Sequence, residues 1–408
     1  MPVRKEKTMS RTTQIIEMTD RYGAHNYKPL PVVIERAEGV WMYDVEGRRY
    51  MDFLSAYSAV SHGHCHHKLV QVMREHAGRC AITSRAFHND QLGPWLKELV
   101  EFCGMEMALP MNTGAEAIET AIKIARKWGY KIKGVPKGKA EIIVCADNFH
   151  GRTITVISFS TEPLYRDDFA PFTPGFIVIP YGDLNALRKA ITPNTAAFLV
   201  EPIQGEAGVR VPPEGFLAGA RKICTENRVL LMLDEIQTGL GRTGKKFCCE
   251  HENVLPDVLV LGKALGGGMV PISAVVSSDE VLGLFIPGEH GSTFGGNPLA
   301  CAVSRAALRV LVDEDLIRNS ESMGGYLKDA LSKIKNPYIQ EIRGKGLLLA
   351  VEFKREGKTA RQYCEELMEQ GILAKETHET SIRFAPPLVI SKKEMDWAIE
   401  RINKVLNL

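Results

Sequence analysis

Two short apolar runs decide the fold, and each ends at a charged residue. The first is Leu231-Met232-Leu233-Asp234-Glu235-Ile236-Gln237, and the second is Leu259-Val260-Leu261-Gly262-Lys263-Ala264-Leu265-Gly266. Continuous apolar runs of this length are typical of strands in a parallel sheet that helices cover on both faces. Ligands of open α/β sheets bind outside the carboxyl ends of such strands. The two runs therefore predict an α/β fold with Asp234 and Lys263 at its ligand-binding edge.

The same pattern extends outward on both sides of these runs. It predicts six strands, at residues 141–146, 176–180, 196–201, 229–235, 257–262 and 272–277. Amphipathic segments alternate with them, and in the clearest one Ile118, Ile122, Ala125 and Gly129 fall on one helical face. This alternation predicts a large domain with a mostly parallel central sheet flanked by helices and joined by right-handed crossovers.

The two ends of the chain have a different texture. Residues 40–53 predict a hairpin around a turn at 44–47. After residue 297 the pattern predicts two long helices at 297–315 and 316–334, strands at 339–343 and 347–353, then a helix and a final strand pair. We therefore expect a smaller α+β C-terminal domain. The expected division is an N-terminal segment 1–58 that packs with the small domain, a large domain 59–300 and a small domain 301–408.

Composition excludes several classes of protein. The 408 residues include 51 Lys and Arg against 49 Asp and Glu, and 45% are hydrophobic, which are ordinary globular values. No apolar run approaches the roughly 18 residues of a membrane helix, and the charged start at residues 4–7 lacks the apolar core of a secretory signal. Nine scattered cysteines are typical of reduced thiols. We expect a cytoplasmic protein with neither nucleic-acid nor membrane partners.

Two motifs point to chemistry that the surrounding sequence does not support. Residues 239–246 fit the phosphate-loop pattern G-x-x-x-x-G-K, but Lys246 stands where a hydroxyl would hold magnesium. Residues 61–67 contain four histidines and Cys65, which are potential zinc ligands. Zinc sites usually combine ligand pairs a dozen or more residues apart, and no second pair with suitable spacing follows. Residues 247–256, which follow the first motif, also lack helical periodicity, so we do not predict a nucleotide triphosphatase. We interpret the second motif as a structural loop and predict no metal site.

The informative combination is a lysine amine and a carboxylate at neighbouring strand ends. An amine that forms a Schiff base and a carboxylate that keeps a pyridinium nitrogen protonated are the two requirements of pyridoxal phosphate chemistry. The plain alternative is that Asp234 and Lys263 only mark strand exits. Thr113-Gly114-Ala115-Glu116 opens a helix whose free amides could bind phosphate, although Thr113 and Glu116 also form an ordinary capping box. Residues 148–153 add an aromatic ring and a guanidinium.

Together these motifs resemble the class III aminotransferases, from about Tyr22 to the C-terminus. The resemblance lies in residues 112–117, 149–153, 201–208, 233–244, 262–268 and 290–298. It implies the fold-type I architecture of pyridoxal-phosphate-dependent transferases, pyridoxal 5'-phosphate as cofactor and a homodimer with the active site at the subunit interface. Two departures are His67, where the family often has proline, and Ile118, where small or polar residues are common.

Within that family the sequence is similar to members that use ornithine. Residues 25–31, 54–60, 83–90 and 382–388 carry this likeness, and Tyr27 and Tyr57 are its discriminating residues. The implied reaction moves the δ-amino group of L-ornithine to 2-oxoglutarate. Its products are L-glutamate and L-glutamate 5-semialdehyde, which cyclises to pyrroline-5-carboxylate. The alternatives are an acetylornithine or other ω-amino-acid aminotransferase, an aminomutase or racemase with the same cofactor, and a non-catalytic protein, which would predict loss of Lys263 or Asp234.

The resemblance assigns roles around the cofactor. Lys263 would form the Schiff base and then move the proton, and Asp234 would pair with the ring nitrogen. Phe149 and Ile236 would cover the two faces of the ring, and Gln237 would bind the ring hydroxyl. The amides of Gly114 and Ala115 would bind the phosphate, together with Thr293 of the partner subunit.

The substrate residues follow from the same resemblance. Arg152 and Tyr27 would hold the α-carboxylate and α-amine of ornithine, while Tyr57 shapes the pocket. Glu206 would pair with Arg383 while ornithine is bound. When 2-oxoglutarate enters, Glu206 would swing away, so that Arg383 takes the α-carboxylate and Arg152 the distal one. The alternative for Glu206 and Arg383 is a purely structural ion pair.

Overall fold

A seven-stranded sheet forms the centre of the protein in a computed structural model that describes residues 9–407. Its spatial order is β4-β10-β9-β8-β7-β5-β6. The strands are β4 (Met107–Met111), β5 (Glu141–Cys145), β6 (Phe176–Ile179), β7 (Thr195–Val200), β8 (Leu230–Asp234), β9 (Val258–Leu261) and β10 (Ser273–Ser277). All six strands expected in this region are confirmed to within one or two residues. The charged start at residues 4–7 lies outside the described residues.

The sheet is mostly parallel, as predicted. Strands β6, β5, β7, β8 and β9 pair in parallel, whereas β10 runs antiparallel to both β9 and β4. The sequence did not predict β4, because the five-residue run is interrupted by Pro110 and its first residue is exposed. Proline is tolerated there because β4 is an edge strand. The antiparallel pairs are therefore confined to one edge of the sheet, at β10 and β4.

Side chains of the central strands enter two separate cores. Leu231 and Leu233 of β8 belong to one buried cluster and Met232 to the other, as the alternation of a pleated strand requires. Burial on both faces explains why the strands read as continuous apolar runs. The covering helices are α3 (His67–Ala77), α4 (Leu92–Cys103), α5 (Gly114–Trp128), α6 (Ile154–Ile157), α7 (Pro163–Arg166), α8 (Leu184–Ala190), α9 (Phe216–Glu226), α10 (Asp279–Leu282) and α11 (Pro298–Asp313).

A second sheet joins the two ends of the chain. After α1 (Arg11–Tyr22) come β1 (Ile34–Glu38), β2 (Trp41–Asp44) and β3 (Arg49–Asp52). Strand β2 pairs antiparallel with both β1 and β3. The predicted hairpin is confirmed as β2 and β3. The outer partner of β3 is the parallel strand β13 (Ile372–Leu373). A one-turn segment, α2 (Ser55–Ser58), follows β3 with left-handed dihedral angles.

The C-terminal part contains a four-stranded antiparallel sheet and three helices. Its order is β11-β12-β15-β14, and the elements are α12 (Leu316–Leu331), β11 (Ile339–Lys345), β12 (Leu348–Phe353), α13 (Ala360–Glu369), β14 (Lys375–Thr377), β15 (Ser381–Phe384) and α14 (Lys392–Leu406). The prediction that a strand pair ends the chain is wrong, because α14 follows it. The missed signals were the capping box of Ser391 and Glu394 and the buried residues Met395, Ala398 and Ile402. None of the helices in residues 9–407 is long and apolar enough to cross a membrane.

Candidate active site

A cavity of about 200 Å³ lies at the carboxyl ends of the parallel strands. Residues from several predicted motifs line it: Gly114, Ala115, Phe149, His150, Gly151, Glu201, Ile203, Glu206, Asp234, Ile236, Gln237, Thr238 and Lys263. The sequence placed Asp234 and Lys263 at one edge of the sheet, and both line this cavity. The position follows from the topology, because β7, β8 and β9 are parallel neighbours and their carboxyl ends meet here.

Lys263 is held in an unusual backbone conformation directly after β9. Its φ is +45°, and it begins a short 3₁₀ segment, Lys263–Gly266. The preceding Gly262 leaves little room for a side chain, since an added Cβ would lie 3.2 Å from Ile236 Cγ2. Burial lowers the pKa of Lys263, and Glu206 partly opposes that shift. A lysine with a lowered pKa is more often neutral, and a neutral amine is the nucleophile that Schiff-base chemistry needs.

Asp234 is fixed by two hydrogen bonds. It is the last residue of β8 and only 5% exposed. Its Oδ2 lies 2.7 Å from Nδ1 of His150, and its Oδ1 accepts a bond from the amide of Ile236 at 3.0 Å. His150 is buried, and its Nε2 has no partner among the described residues. His150 was not among the predicted site residues, although its place between Phe149 and Gly151 was the available signal.

The first turn of α5 forms an anion cradle beside Asp234. The expected capping box is confirmed, because Thr113 Oγ1 accepts from the amide of Glu116 while the Glu116 carboxylate accepts from the amide of Thr113. The first amides of a helix have no partner within the helix, so those of Gly114 and Ala115 are free to bind an anion. Gly151 closes the cradle with φ at +123°, and a Cβ there would lie 2.9 Å from the Cβ of Ala115.

The two apolar residues that the resemblance assigns to the ring faces lie at the cavity. Phe149 and Ile236 both line it, and a Cβ on Gly114 would lie 3.0 Å from Ile236 Cδ1. Gln237 also lines the cavity. Its Nε2 donates to Glu206 Oε1 at 3.2 Å and to the carbonyl oxygen of Tyr57 at 3.4 Å.

Glu206 and Arg383 form the predicted ion pair at the cavity. Arg383 Nη1 donates to Glu206 Oε1 at 2.6 Å, and the guanidinium lies 5.0 Å from the centre of the Tyr57 ring. Burial raises the pKa of Glu206, but the charges of Arg383 and Lys263 outweigh it and hold that pKa below its usual range. The carboxylate is therefore charged at neutral pH and neutralises Arg383.

The remaining predicted substrate residues lie farther out. Arg152 is exposed and stacks over Tyr165, with its guanidinium carbon 4.0 Å from the ring centre. Tyr27 is 74% exposed in the segment between α1 and β1. Tyr27, Tyr57, Arg152, Arg383 and Thr293 are not among the residues that line the cavity. The resemblance assigns Thr293 to the site of a partner subunit.

The buried carboxyl group of Glu201 was not predicted as part of the site. It follows β7 directly and accepts a hydrogen bond from the amide of Phe149 at 3.1 Å. Burial and the neighbouring charge of Asp234 raise its pKa well above the usual value. A signal was available, because Glu201 ends a predicted strand in the same way as Asp234.

The structure describes both the histidine-rich residues 61–67 and the phosphate-loop-like residues 239–246. His62, His64 and His66 bind three different groups: the carbonyl oxygen of Ala307, the carboxylate of Asp52 and the carboxylate of Glu314. Their rings therefore hold a loop to its surroundings, as interpreted. The phosphate-loop-like residues 239–246 form a turn, and only a short 3₁₀ segment, Cys248–Glu252, follows in place of the helix of a nucleotide loop. Ile118, one of the two departures from the family pattern, is fully buried.

The donor set fits pyridoxal phosphate. The cavity offers a buried amine, a buried carboxylate, two apolar flanks and a helix start whose glycines leave space for a phosphate. A site of this chemistry, at the carboxyl ends of a mostly parallel sheet, defines a pyridoxal-phosphate-dependent enzyme.

Comparison with known proteins gives the family. The model of the family described as aminotransferase class-III matches residues 22–406. The ornithine aminotransferase of Geobacillus sp. (strain WCH70) is 60% identical, over 97% of this chain and 99% of its own. The chain therefore belongs to the class-III aminotransferase family and is a pyridoxal-phosphate-dependent aminotransferase.

Solved structures agree with this assignment. An ornithine aminotransferase from Toxoplasma gondii, with PLP partly occupying its active site, superposes with a TM-score of 0.95 at 46% identity, over 97% of this chain and 94% of that one. An acetylornithine aminotransferase from Elizabethkingia anophelis superposes with a TM-score of 0.89 at 47% identity, over 98% and 99% of the two chains. The expected fold-type I architecture is thereby confirmed.

Proposed function

We propose that this protein transfers the δ-amino group of L-ornithine to 2-oxoglutarate, giving L-glutamate and L-glutamate 5-semialdehyde, which cyclises to pyrroline-5-carboxylate. The observation that carries the proposal is the closed pair of Glu206 and Arg383 beside the Tyr57 ring. The pair matters because the two substrates must bind in different orientations. Ornithine must react through its side-chain amine, whereas glutamate must react through its α-amine, and both use the same cavity.

The closed pair favours the ornithine pose. A free guanidinium near the reacting centre would bind an α-carboxylate bidentately and place the α-amine for reaction. With Glu206 bound to Arg383, that anchor is neutralised. The α-carboxylate of ornithine then binds at the outer end, where Arg152 lies over Tyr165 and Tyr27 is exposed. The δ-amine, at the other end of the extended substrate, reaches Lys263.

The second substrate uses the open pair. When Glu206 turns away, Arg383 binds the α-carboxylate of 2-oxoglutarate and Arg152 binds its distal carboxylate. Arg383 is only 1% exposed and belongs to β15, so it is the fixed partner. Glu206 lies in the loop after β7 with about a quarter of its side chain exposed, which leaves it room to move.

The chain's residues prepare the cavity for the cofactor. Pyridoxal phosphate supplies an electron sink for the carbon that carries the reacting amine. The Nζ of Lys263 removes and returns the proton at that carbon. Asp234, oriented by His150, would keep the proton on the ring nitrogen, and the amides of Gly114 and Ala115 would bind the phosphate. Phe149 and Ile236 would hold the ring plane, and Gln237 would bind the ring hydroxyl.

An acetylornithine aminotransferase is the second candidate. The Elizabethkingia anophelis enzyme of that name is 47% identical, as similar in sequence as the ornithine aminotransferase of Toxoplasma gondii. Two features favour ornithine: the pair of tyrosines, Tyr27 and Tyr57, and the identity of 60% to the Geobacillus enzyme.

We further infer a homodimer in the cytoplasm. Thr293 and the neighbouring Phe294 are exposed and do not line the cavity of their own chain, which fits a phosphate contact made across a subunit interface. All nine cysteines lie within the described residues and have free thiols, in keeping with a reducing compartment. The proposed division remains an N-terminal segment 1–58, a large domain 59–300 and a small domain 301–408.

The visible spectrum of the cofactor-loaded protein tests the proposed substrate. L-Ornithine and N-acetyl-L-ornithine are added to separate samples without any oxo acid. Loss of the visible band of the bound cofactor with ornithine, and not with the acetyl compound, is the expected result. A response to the acetyl compound alone would retain the aminotransferase and overturn the substrate. Continuous product formation without an oxo acid would indicate a racemase or aminomutase.

A further inference from the structure

Arg242 is a buried cation with no carboxylate partner among the described residues. Its side chain is 0% exposed. Nη1 donates to the carbonyl oxygens of Leu347 at 3.0 Å and Pro386 at 2.6 Å, and Nη2 donates to Ser61 Oγ at 2.9 Å. Burying a charge without an opposite charge is costly, so such groups persist where their position matters. Arg242 joins three separate segments: its own turn, the C-terminal part and the loop after β3.

The loop after β3 contains a strained turn. The four successive residues Ser55–Ser58 have φ between +45° and +75°, and none of them is glycine. L-residues rarely adopt this conformation in succession, and such strain persists only where the surroundings enforce it. Asp52 Oδ1 accepts from the amides of Leu54 and Ser55, both at 2.8 Å, and Ser55 Oγ donates to the carbonyl oxygen of Ala385 at 2.7 Å.

Ser61 connects this turn to Arg242. Its hydroxyl accepts from Arg242 Nη2 and donates to the carbonyl oxygen of Ser58 at 3.0 Å, which fixes the end of the turn. Its own carbonyl oxygen accepts from the amide of Leu388 at 2.8 Å, four residues beyond the end of β15. Tyr57 lies inside the turn, and its ring lies 5.0 Å from the guanidinium of Arg383, which β15 carries.

We propose that Arg242 and Ser61 are positioning residues for ornithine, and that they act by fixing the ring of Tyr57 against the pair of Arg383 and Glu206. The inference rests on the proposed function for the choice of substrate. The proposal also gives a role to residues 239–246, whose sequence resembles a phosphate loop. In this turn Arg242 binds carbonyl and hydroxyl oxygens of the protein. Neither residue touches substrate; both act through Tyr57.

The first test is Ser61→Ala in the cofactor-loaded enzyme. We expect the KM for ornithine to rise about tenfold, with kcat reduced less than threefold and the KM for glutamate changed less than twofold. The matched control is Ser304→Ala, another fully buried serine, whose hydroxyl accepts from Trp95 Nε1 at 2.9 Å. It should lower the thermal midpoint comparably and leave both KM values unchanged. Equal effects of the two variants on KM would overturn the proposal.

The second test is whether Ser61 acts through Tyr57. In a Tyr57→Ala background, Ser61→Ala should no longer change the KM for ornithine, because the ring that it positions is gone. Independent, multiplicative effects would overturn the proposal. Arg242→Lys retains the charge but not the two-nitrogen fork, so its ornithine KM should rise like that of Ser61→Ala. If the wild-type enzyme does not react with ornithine, the proposed function fails, and the same comparison is made with the amine donor that does react.

Discussion

Glu206 and Arg383 meet at 2.6 Å although 177 residues separate them in the chain. The two partners are held differently. Arg383 is fixed in β15 and nearly inaccessible, whereas the side chain of Glu206 is about one quarter exposed. Gln237 Nε2 donates to the same Glu206 oxygen at 3.2 Å. Of the two partners, the acid is the more accessible, which supports the proposal that Glu206 is the one that moves.

Replacing Glu206 should invert the preference between amine donors. In Glu206→Ala the guanidinium of Arg383 is permanently free to bind an α-carboxylate beside the reacting centre. We expect kcat/KM for ornithine to fall about 30-fold and kcat/KM for a simple α-amino acid such as alanine to rise about tenfold. Steady-state kinetics with both donors measure the ratio. The control is Glu341→Ala, which removes an exposed carboxylate bound to Arg343; an unchanged ratio in Glu206→Ala would show a purely structural pair.

Replacing Lys263 should abolish turnover. Lys263→Ala removes both the amine that binds the cofactor covalently and the group that moves the proton, so activity should fall by at least about 10³-fold. Activity assays and the visible spectrum after dialysis report the two losses separately. Lys222→Ala, in which an exposed lysine is removed, is the control. Residual activity above one tenth of wild type would mean that another group carries the proton.

The buried His62 should make the fold sensitive to acid. Burial lowers its pKa to about 4, against about 6.5 in the unfolded chain. Between these values the unfolded state binds more protons than the folded state, so the free energy of unfolding falls as pH falls from 6.5 to 4. The full contribution is about 3 kcal/mol. Urea denaturation at a series of pH values should show a steeper loss for wild type than for His62→Gln, and parallel curves would contradict the assignment.

Two adjacent glycines in α12 should respond in opposite ways to alanine. A Cβ on Gly324 would lie 2.1 Å from the carbonyl oxygen of Gly346, whereas a Cβ on Gly325 meets nothing within 4 Å. The oxygen of Gly346 belongs to the backbone of a tight turn and cannot move aside as a flexible side chain could. Gly324→Ala should therefore destabilise the protein by about 3 kcal/mol. Gly325→Ala should stabilise it by about 1 kcal/mol through helix propensity. Chemical denaturation of both variants decides, and equal stabilities would show that α12 can shift.

The sequence predicted the centre of the site for a simple physical reason. Parallel strands buried on both faces leave an unmistakable apolar run, and their ends converge on one edge of the sheet. Asp234 and Lys263 could therefore be placed together from their strand exits alone. The capping box of Thr113 and Glu116 is equally local, because it depends on residues three apart.

Long-range geometry was not available from local pattern. No periodicity relates Glu206 to Arg383, and only the family resemblance indicated that they meet. The bond of His150 to Asp234 spans 84 residues, and the reversed direction of β10 depends on its connection rather than its composition. The left-handed turn at Ser55–Ser58 contains no glycine, which is the residue that would have predicted such a turn. Tertiary contacts alone stabilise these features.

The pairing of β3 with β13 places a constraint on biosynthesis. Met51 is opposite Ile372, so the partner of β3 is made 321 residues later. At roughly 5–20 residues per second, a ribosome takes about 15 to 65 s to reach it. During that time β3 has an open edge, Ser55 lacks the carbonyl oxygen of Ala385, and Ser61 lacks the amide of Leu388. The contacts that hold the segment around Tyr57 can therefore form only after residue 388 has been translated.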